Sequence, residues 1–595
     1  MRLYVTLLDE NDSFMHTVHV TESHNNSLPN LCPHFSMSSS CLQCKKSFEI
    51  MKEDLEFLEK LSPEIGGKRF ALPPPTLCPD CRLQRRLAHV NQLNLYERTC
   101  DLSGATVISN HHPKSPYKVY RQEDWHSDKW EGATYGRPFD FSRPFFEQYQ
   151  ELSLAVPRPN LFTGYEFDEN SQYTNHAGKN KNCYLIFDSD ENRDCYYSYS
   201  INHCVNCSDC FRTRRSELCY ECVDCVQCYG SGFLQDCENC SDSLFLKNCI
   251  GCRSCLMCSN LKNKEYHVEN KPVSKEEYEK MRDMLSSHSV LQNAAKRFAK
   301  LKLEHPQKYM HGTQNENVTG DYLVNCKNAF RCFDTENLWD GRYVYQGFMP
   351  LKDCMDVHEC GEGELLYECS VAGYQIQRLW FSAYTLAASS DQLYCQHCPH
   401  SKHCFGCIGI RRKEYCLLNT QYSQEEYDQL VPKIIKHMQK TGEWGQFFPI
   451  SLSTFGYNQS LAQDYYPLEK KDVMKHNWAW FDEPDSADRY LGPQVNVPER
   501  IQDVTDDITK QILTCETSGK QFKIIPQELA LYRQLRVPLP RNRFFERHRS
   551  RLAQRNPRTL HARSCDNCKT PIETTYATNR PEKIYCESCY QQSLI

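Results

Sequence analysis

Fifteen cysteines lie between Cys183 and Cys258, and every gap between neighbours is a multiple of three. Runs such as Cys204, Cys207, Cys210 and Cys219, Cys222, Cys225, Cys228 keep that step. The residues between them are mainly Asn, Asp, Ser, Gly and Tyr, a composition that excludes a long helix. Short β-compatible pieces recur, namely Tyr184-Leu-Ile-Phe187, Cys195-Tyr-Tyr-Ser198 and Leu244-Phe-Leu246, separated by Asn-Cys and Asp-Cys turn dipeptides. The pattern predicts a stacked β-solenoid with about 20 residues per coil.

A second, poorer copy follows. Glu217-Leu-Cys-Tyr-Glu-Cys222 matches Glu364-Leu-Leu-Tyr-Glu-Cys369, Cys255-Leu-Met-Cys258 matches Cys404-Phe-Gly-Cys407, and Lys264-Glu-Tyr266 matches Lys413-Glu-Tyr415. Each copy then runs into a helix capped by Ser, at Ser274 and Ser423, with Glu in its first turn. The first linker reads as one charged helix from 274 to 304, stopped by His305-Pro306. Cys219 of the first copy corresponds to Leu366 of the second, the exchange expected of a small buried hydrophobe. The central cysteines therefore read as stacked reduced thiols rather than a string of zinc knuckles. Cys395, Cys398, Cys404 and Cys407, interleaved with His397, His400 and His403, are the central set whose spacing also suits a metal.

The two ends carry paired Cys-x-x-Cys turns: Cys41, Cys44, Cys78 and Cys81 at one, Cys565, Cys568, Cys586 and Cys589 at the other. Four thiolates complete a tetrahedral zinc shell, so about two structural Zn²⁺ ions are expected. The ends also align with each other. Arg86-Leu87-Ala88 falls on Arg551-Leu552-Ala553, and Arg98-Thr-Cys100-Asp101 on Arg563-Ser-Cys565-Asp566. Each copy thus has two four-residue positions, one intact and one altered. The altered ones are Cys100, Ser103, Arg121, Asp124 and Cys515, Ser518, Arg543, Glu546. An Arg–carboxylate pair can take the geometric place of a metal through paired hydrogen bonds, so neither altered position is expected to bind zinc.

Of 595 residues, 36 are Cys, 25% are charged and the net charge is −6, the profile of a globular chain. Residues 1–14 lack a basic region followed by an apolar stretch, and no apolar run approaches the roughly 18 residues of a membrane span. Cys-x-x-Cys pairs in such a chain point to a cytoplasmic, metal-loaded protein with no membrane partner. Residues 1–36 read as a disordered extension, or as sequence upstream of a start at Met37.

The expected fold is multidomain, with zinc-ribbon modules at both ends and a mainly-β, solenoid-like, Cys-rich centre joined by helices. The ribbons span 37–125 and 515–595, and the Cys-rich modules 170–272 and 315–422. An aromatic and Pro-rich linker covers 126–169, and helical linkers cover 273–314 and 423–514. The aromatic stretch 135–167 is expected to pack between the first ribbon and the first Cys-rich module. Its aromatics and Arg could alternatively stack bases.

Several stretches resemble a family of cysteine-rich zinc-ribbon proteins of reduced-genome bacteria. They are Cys78-Pro-Asp-Cys81-Arg82, Arg98-Thr-Cys100-Asp-Leu-Ser-Gly104, Ser142-Arg-Pro-Phe-Phe-Glu147, Tyr173-Thr-Asn-His-Ala-Gly178, Ser274-Lys-Glu-Glu-Tyr278 and Tyr466-Pro-Leu468. The resemblance implies metal binding and covers nearly everything after Met37. Such sequences sometimes carry a CoA-transferase label, CaiB/BaiF. Nothing here supports it, since Gly361-x-Gly363 lacks the strand–helix context and the third Gly of a dinucleotide loop.

Function reads first as a non-catalytic interaction scaffold with a protein or nucleic-acid partner. A metal-dependent enzyme and a metal store or sensor are the alternatives. The candidates for enzyme chemistry, His111, His112, Asp124, His126, His176, Asp188 and Asp190, form no nucleophile–base motif. Between Arg533 and Arg563 stand ten arginines and one acid, Glu546. Arg541, Arg543, Arg547, Arg549, Arg551 and Arg555 are therefore candidates for RNA or other nucleic-acid contact. The competing expectation is a solvated basic helix that pairs with the acidic central modules.

Overall fold

The computed structural model describes residues 36–347, 350–359, 363–364, 368–370, 376–377, 390–482 and 495–594. Most of the N-terminal extension expected over 1–36 lies outside them.

The first Cys-rich module is a parallel ladder in which each residue pairs with the one twelve further on. Tyr184 faces Tyr196, Glu217 faces Tyr229, Leu244 faces Leu256 and Arg253 faces Glu265, with bridges such as Val205–Glu217 and Phe211–Val223 between strands. The repeat is shorter than the twenty or so residues expected from the cysteine pattern. The reason is a turn after every third residue. Asn182, Leu185, Asp188, Glu191, Asp194, Tyr197, Ser200 and His203 all have positive φ. Asn and Asp tolerate that region, whereas Leu185 and Tyr197 hold it at a cost that the ladder must offset. The offset comes from bonds running both ways along the stack: Tyr196 N donates to Cys207 O at 2.9 Å, and Asp209 N donates to Tyr196 O at 3.1 Å.

This backbone explains the cysteines. Residues at every third position point inward into a core filled mainly by Cys, with Ile186, Ile201, Leu234, Leu246 and Leu261 among them. A thiol there also finds an acceptor: Cys207 Sγ donates to Val205 O at 3.4 Å and Cys219 Sγ to Glu217 O at 3.5 Å. Ser231 and Ser243, on the same column as Cys219, make the same bond through Oγ at 2.8 and 2.7 Å. All cysteines of the described residues are free thiols. Where neighbouring thiols do not interfere, burial raises them, Cys332 up to about 12.

The second module is a less regular ladder from Gly312–Thr313 to Thr420–Gln421. Its offset is twelve at Lys402–Glu414, eleven at Glu316–Lys327 and thirteen at Leu338–Leu351. Both ladders end alike. A short hairpin, His267–Pro272 or Cys416–Gln421, covers the last rung, and a capped helix follows, Lys275–Met284 or Gln424–Thr441. Ser274 Oγ accepts from Glu277 N at 3.2 Å while Glu277 Oε2 accepts from Ser274 N at 3.0 Å. Ser423 and Glu426 repeat this at 3.2 and 2.9 Å.

Two expectations are corrected. The linker after Ser274 is two helices, Lys275–Met284 and His288–Glu304, because Leu285 turns into the core and Ser287 bridges Arg500. The aromatic stretch meets both ladders rather than the first alone: Thr163 and Gly164 pair in parallel with Ala177 and Gly178 of the first, while Phe145 lies 5.1 Å from Tyr394 and 5.4 Å from Phe405 of the second, ring to ring.

Because Ser already fills equivalent positions, Cys219→Ser should cost no more than about 1 kcal/mol, whereas Cys219→Phe should overpack the column by about 1–3 kcal/mol or more. Denaturation midpoints of the two variants measure this. Equal loss in both would contradict a core selected for small size.

Candidate metal centres

Both four-cysteine sets converge. In each, the four sulfurs lie within 4.8 Å of one another. The strands Ser36–Ser40 and Ser47–Met51 form a hairpin whose turn holds Cys41 and Cys44. Cys41 N donates to Lys46 O, Lys45 N donates to Cys41 O, both at 2.9 Å, and Lys45 takes φ 62°. Cys78 then caps the helix Pro79–Leu87, with Pro79 in the first turn and Cys81 two positions later. The other end is built the same way. The hairpin of His561–Ser564 and Pro571–Thr574 presents Cys565 and Cys568 around Lys569, whose φ is 65°, and Cys586 caps Glu587–Ser593. Each site thus takes one sulfur pair from a hairpin turn and the other from a helix N-terminus, where the helix dipole favours thiolates.

The spacing fits zinc. Zn–S bonds of about 2.3 Å in a tetrahedron place sulfurs about 3.8 Å apart. Cys44 and Cys78 are 3.7 Å apart, and Cys568 and Cys586 are 3.6 Å apart, far beyond a disulfide. The hydrogen bond with Cys81 lowers Cys78 to about 5, and bonds from Thr570 lower Cys568 to about 6.

The two altered positions keep the frame. Cys100 N donates to Ala105 O at 2.8 Å and Cys515 N to Lys520 O at 2.8 Å, around Gly104 and Gly519 with φ 74° and 70°. Arg121 and Arg543 stand as helix caps where Cys78 and Cys586 do. Arg121 Nε binds Asp124 Oδ2 at 2.6 Å, and Arg543 Nε binds Glu546 Oε2 at 2.8 Å. Cys100 Sγ accepts the Arg121 amide at 3.3 Å, as Cys565 Sγ accepts the Cys586 amide at 3.3 Å. Arg121, joined by Lys129, holds the Asp124 carboxyl well below the ordinary range. Its stabilising contribution is therefore present above the unfolded-state value and fades as pH falls.

The remaining candidate ligands sit elsewhere. The sulfurs of Cys395, Cys398, Cys404 and Cys407 do not form a converging group among the described residues. They line an apolar core and donate to Leu393, Gln396, Lys402 and Phe405 carbonyls. His397 packs on Trp125, and His403 stacks on Tyr415.

The arginines also have structural places. Arg547 Nε and Arg551 Nη1 both lie 2.9 Å from Asp209 Oδ1, and Arg551 also pairs with Glu221 at 2.9 Å. Arg555 pairs with Asp224 at 2.8 Å and contacts Asp334, which Arg558 meets at 2.7 Å. Arg541 donates to Val497 O at 2.9 Å, and Arg543 serves Glu546. Only Arg549 of the six nucleic-acid candidates is largely exposed, at 65%. The basic helix does pair with the acidic ladder, but through arginines that are buried rather than solvated, Arg547 and Arg551 on Asp209.

At the other end the same contact recurs without having been singled out. Arg82 Nε lies 2.6 Å from Asp356 Oδ2, Arg86 Nη1 3.1 Å from Asp356 Oδ1, and Arg85 Nη2 2.6 Å from Glu368. The arginine pair of the N-terminal ribbon therefore seats on the second ladder and that of the C-terminal ribbon on the first, while Arg558 reaches Asp334 of the second ladder and Gln92 accepts from Tyr199 of the first. The signal was available: Arg86-Leu87-Ala88 and Arg551-Leu552-Ala553 match where the metal ligands do not.

The histidines and acids weighed for catalysis fall in several places, with His176 beside Asp188 and Asp190 on adjacent rungs of the first ladder. His111 stacks on Phe455 and His112 on Phe481, Asp124 serves Arg121, and His176 faces Glu359 at 3.7 Å. Burial raises Asp188 and Asp190, Asp190 to about 6.

No protein-family model matches the sequence, and no curated protein does. Among solved structures, a proposed acetyltransferase from Desulfovibrio desulfuricans G20 aligns at 8% identity over 46% of this chain and 81% of that one, with a TM-score of 0.11. A superposition that loose carries no inference. No helix among the described residues is long and apolar enough to cross a membrane.

Two outcomes follow for the sites. Joint replacement of Ser103, Arg121 and Asp124 by Cys should add one bound zinc per chain by metal analysis, and no added metal would mean the shared frame does not set ligand geometry. Asp209→Asn or Asp356→Asn should each destabilise the seated ribbon by about 3–5 kcal/mol by removing the carboxylate that two buried arginines share. Hydrogen exchange of the helix Phe544–Leu552 or Pro79–Leu87 reads the loss.

Proposed function

We propose that the chain is a zinc-stabilised, non-catalytic interaction scaffold, with one structural Zn²⁺ at Cys41, Cys44, Cys78 and Cys81 and another at Cys565, Cys568, Cys586 and Cys589. The supporting observation is the pair of four-sulfur frames with 3.7 and 3.6 Å spacings. Four thiolates fill a tetrahedral shell and leave no open position for a substrate or water, which suits a structural rather than a catalytic metal. In this reading the two ladders are β-solenoids, of twelve residues per coil in the first and eleven to thirteen in the second, that hold the zinc modules in fixed places. The free thiols suit a reducing compartment such as the cytoplasm. Nucleic-acid binding loses its main support, because Arg547 and Arg551 of the arginine helix and Arg555 and Arg558 after it are engaged by Asp209, Glu221, Asp224 and Asp334.

Zinc removal by a strong chelator tests this reading. The loss of about 10–16 kcal/mol of metal binding should unfold both terminal modules while the ladder amides stay protected from exchange. Cys44→Ala and Cys568→Ala should each release one zinc and unfold one end. A chelated protein with unchanged exchange at both ends would overturn the scaffold.

A further inference from the structure

Arg86, Arg158 and Arg551 are among the largest fully buried side chains. Arg86 and Arg551 each face an aspartate. Arg158 does not. Its Nη2 donates to the neutral Ser153 Oγ at 2.7 Å, and its Nε and Nη1 have no hydrogen-bond partner. No carboxylate of the described residues pairs with it, and the side chains acting on its charge are Tyr149, Tyr117 and Cys398. A guanidinium keeps its proton in any protein environment, so this positive charge is permanent.

Arg158 lines a small cavity of about 20 Å³ together with Asn110, His111, Gln396, His397 and Phe455. Four parts of the chain meet there: the N-terminal ribbon, the aromatic linker, the second ladder and the segment at 454–455. The field in the cavity is positive. Burial and then the charges of Arg98 and Arg158 bring His111 down to about 3, and Arg158 acts in the same direction on His397. A bridging water could serve Asn110 Oδ1 and His111 Nδ1, both without a hydrogen-bond partner. A water leaves the buried charge uncancelled, and only an anion removes that cost. The volume admits one group of about water size or slightly larger, which excludes phosphate.

We propose that this cavity binds one monovalent anion of halide size, held by Arg158 Nε and Nη1, and that the bound anion ties the four segments together. The step is pure ion binding. The site is independent of the zinc centres, so its test does not depend on theirs.

The experiment uses the full chain in its metal-loaded form. Crystals equilibrated with sodium bromide should show one anomalous peak in contact with Arg158. In solution, sodium chloride should raise the melting midpoint by about 2 °C over sodium gluconate at equal ionic strength, and Arg158→Gln should abolish that difference. Absence of bromide from the cavity, or equal melting of the wild type in the two salts, would overturn the proposal. If Arg158→Gln does not fold, the wild-type bromide map and salt comparison decide it alone.

Discussion

Two buried carboxylates organise this molecule. Asp209 and Asp356 sit at turns of the two ladders, each in the left-handed backbone region, and each is gripped by two arginines one helical turn apart. Such a contact is costly to desolvate and costly to break on one side, so it specifies a seat rather than adding general stability. It fixes which ribbon lies on which ladder. The clamps are crossed: the arginine pair of the first ribbon grips the second ladder, and that of the last ribbon grips the first.

The metal frames act through the same helices. Pro79–Leu87 carries Cys81 of the zinc site near its start and the clamping arginines after it. Phe544–Leu552 carries Glu546 of an altered site and then Arg547 and Arg551. A four-cysteine frame anchors the start of one docking helix, and an Arg–carboxylate pair anchors the other. The hairpin turn, the helix cap and the third helical position are unchanged between them. What differs is whether four sulfurs or a hydrogen-bonded pair closes the frame, and that local substitution leaves the docking contact intact.

Much of the terminal architecture was legible in residue order. Metal spacing is a local property, and the match between the two ends identified both the intact and the altered positions by residue. The Ser-capped helices at Ser274 and Ser423 were legible for the same reason. The length of the central repeat was not. Cysteine gaps in multiples of three report which positions face inward, but the stacking distance depends on where the backbone turns, and non-glycine residues such as Leu185 and Tyr197 carry no turn signature. The arginine cluster was ambiguous because a charge run looks the same whether it meets phosphate or a buried carboxylate. Asp209 is 338 residues away from Arg547, beyond the reach of any local pattern.

Zinc-edge X-ray absorption on the protein as purified tests the central claim most directly. The account predicts two zinc ions per chain, each surrounded by four sulfurs at about 2.3 Å with no light-atom ligand. Absence of zinc, or a shell in which nitrogen or oxygen replaces sulfur at an open position, would contradict it.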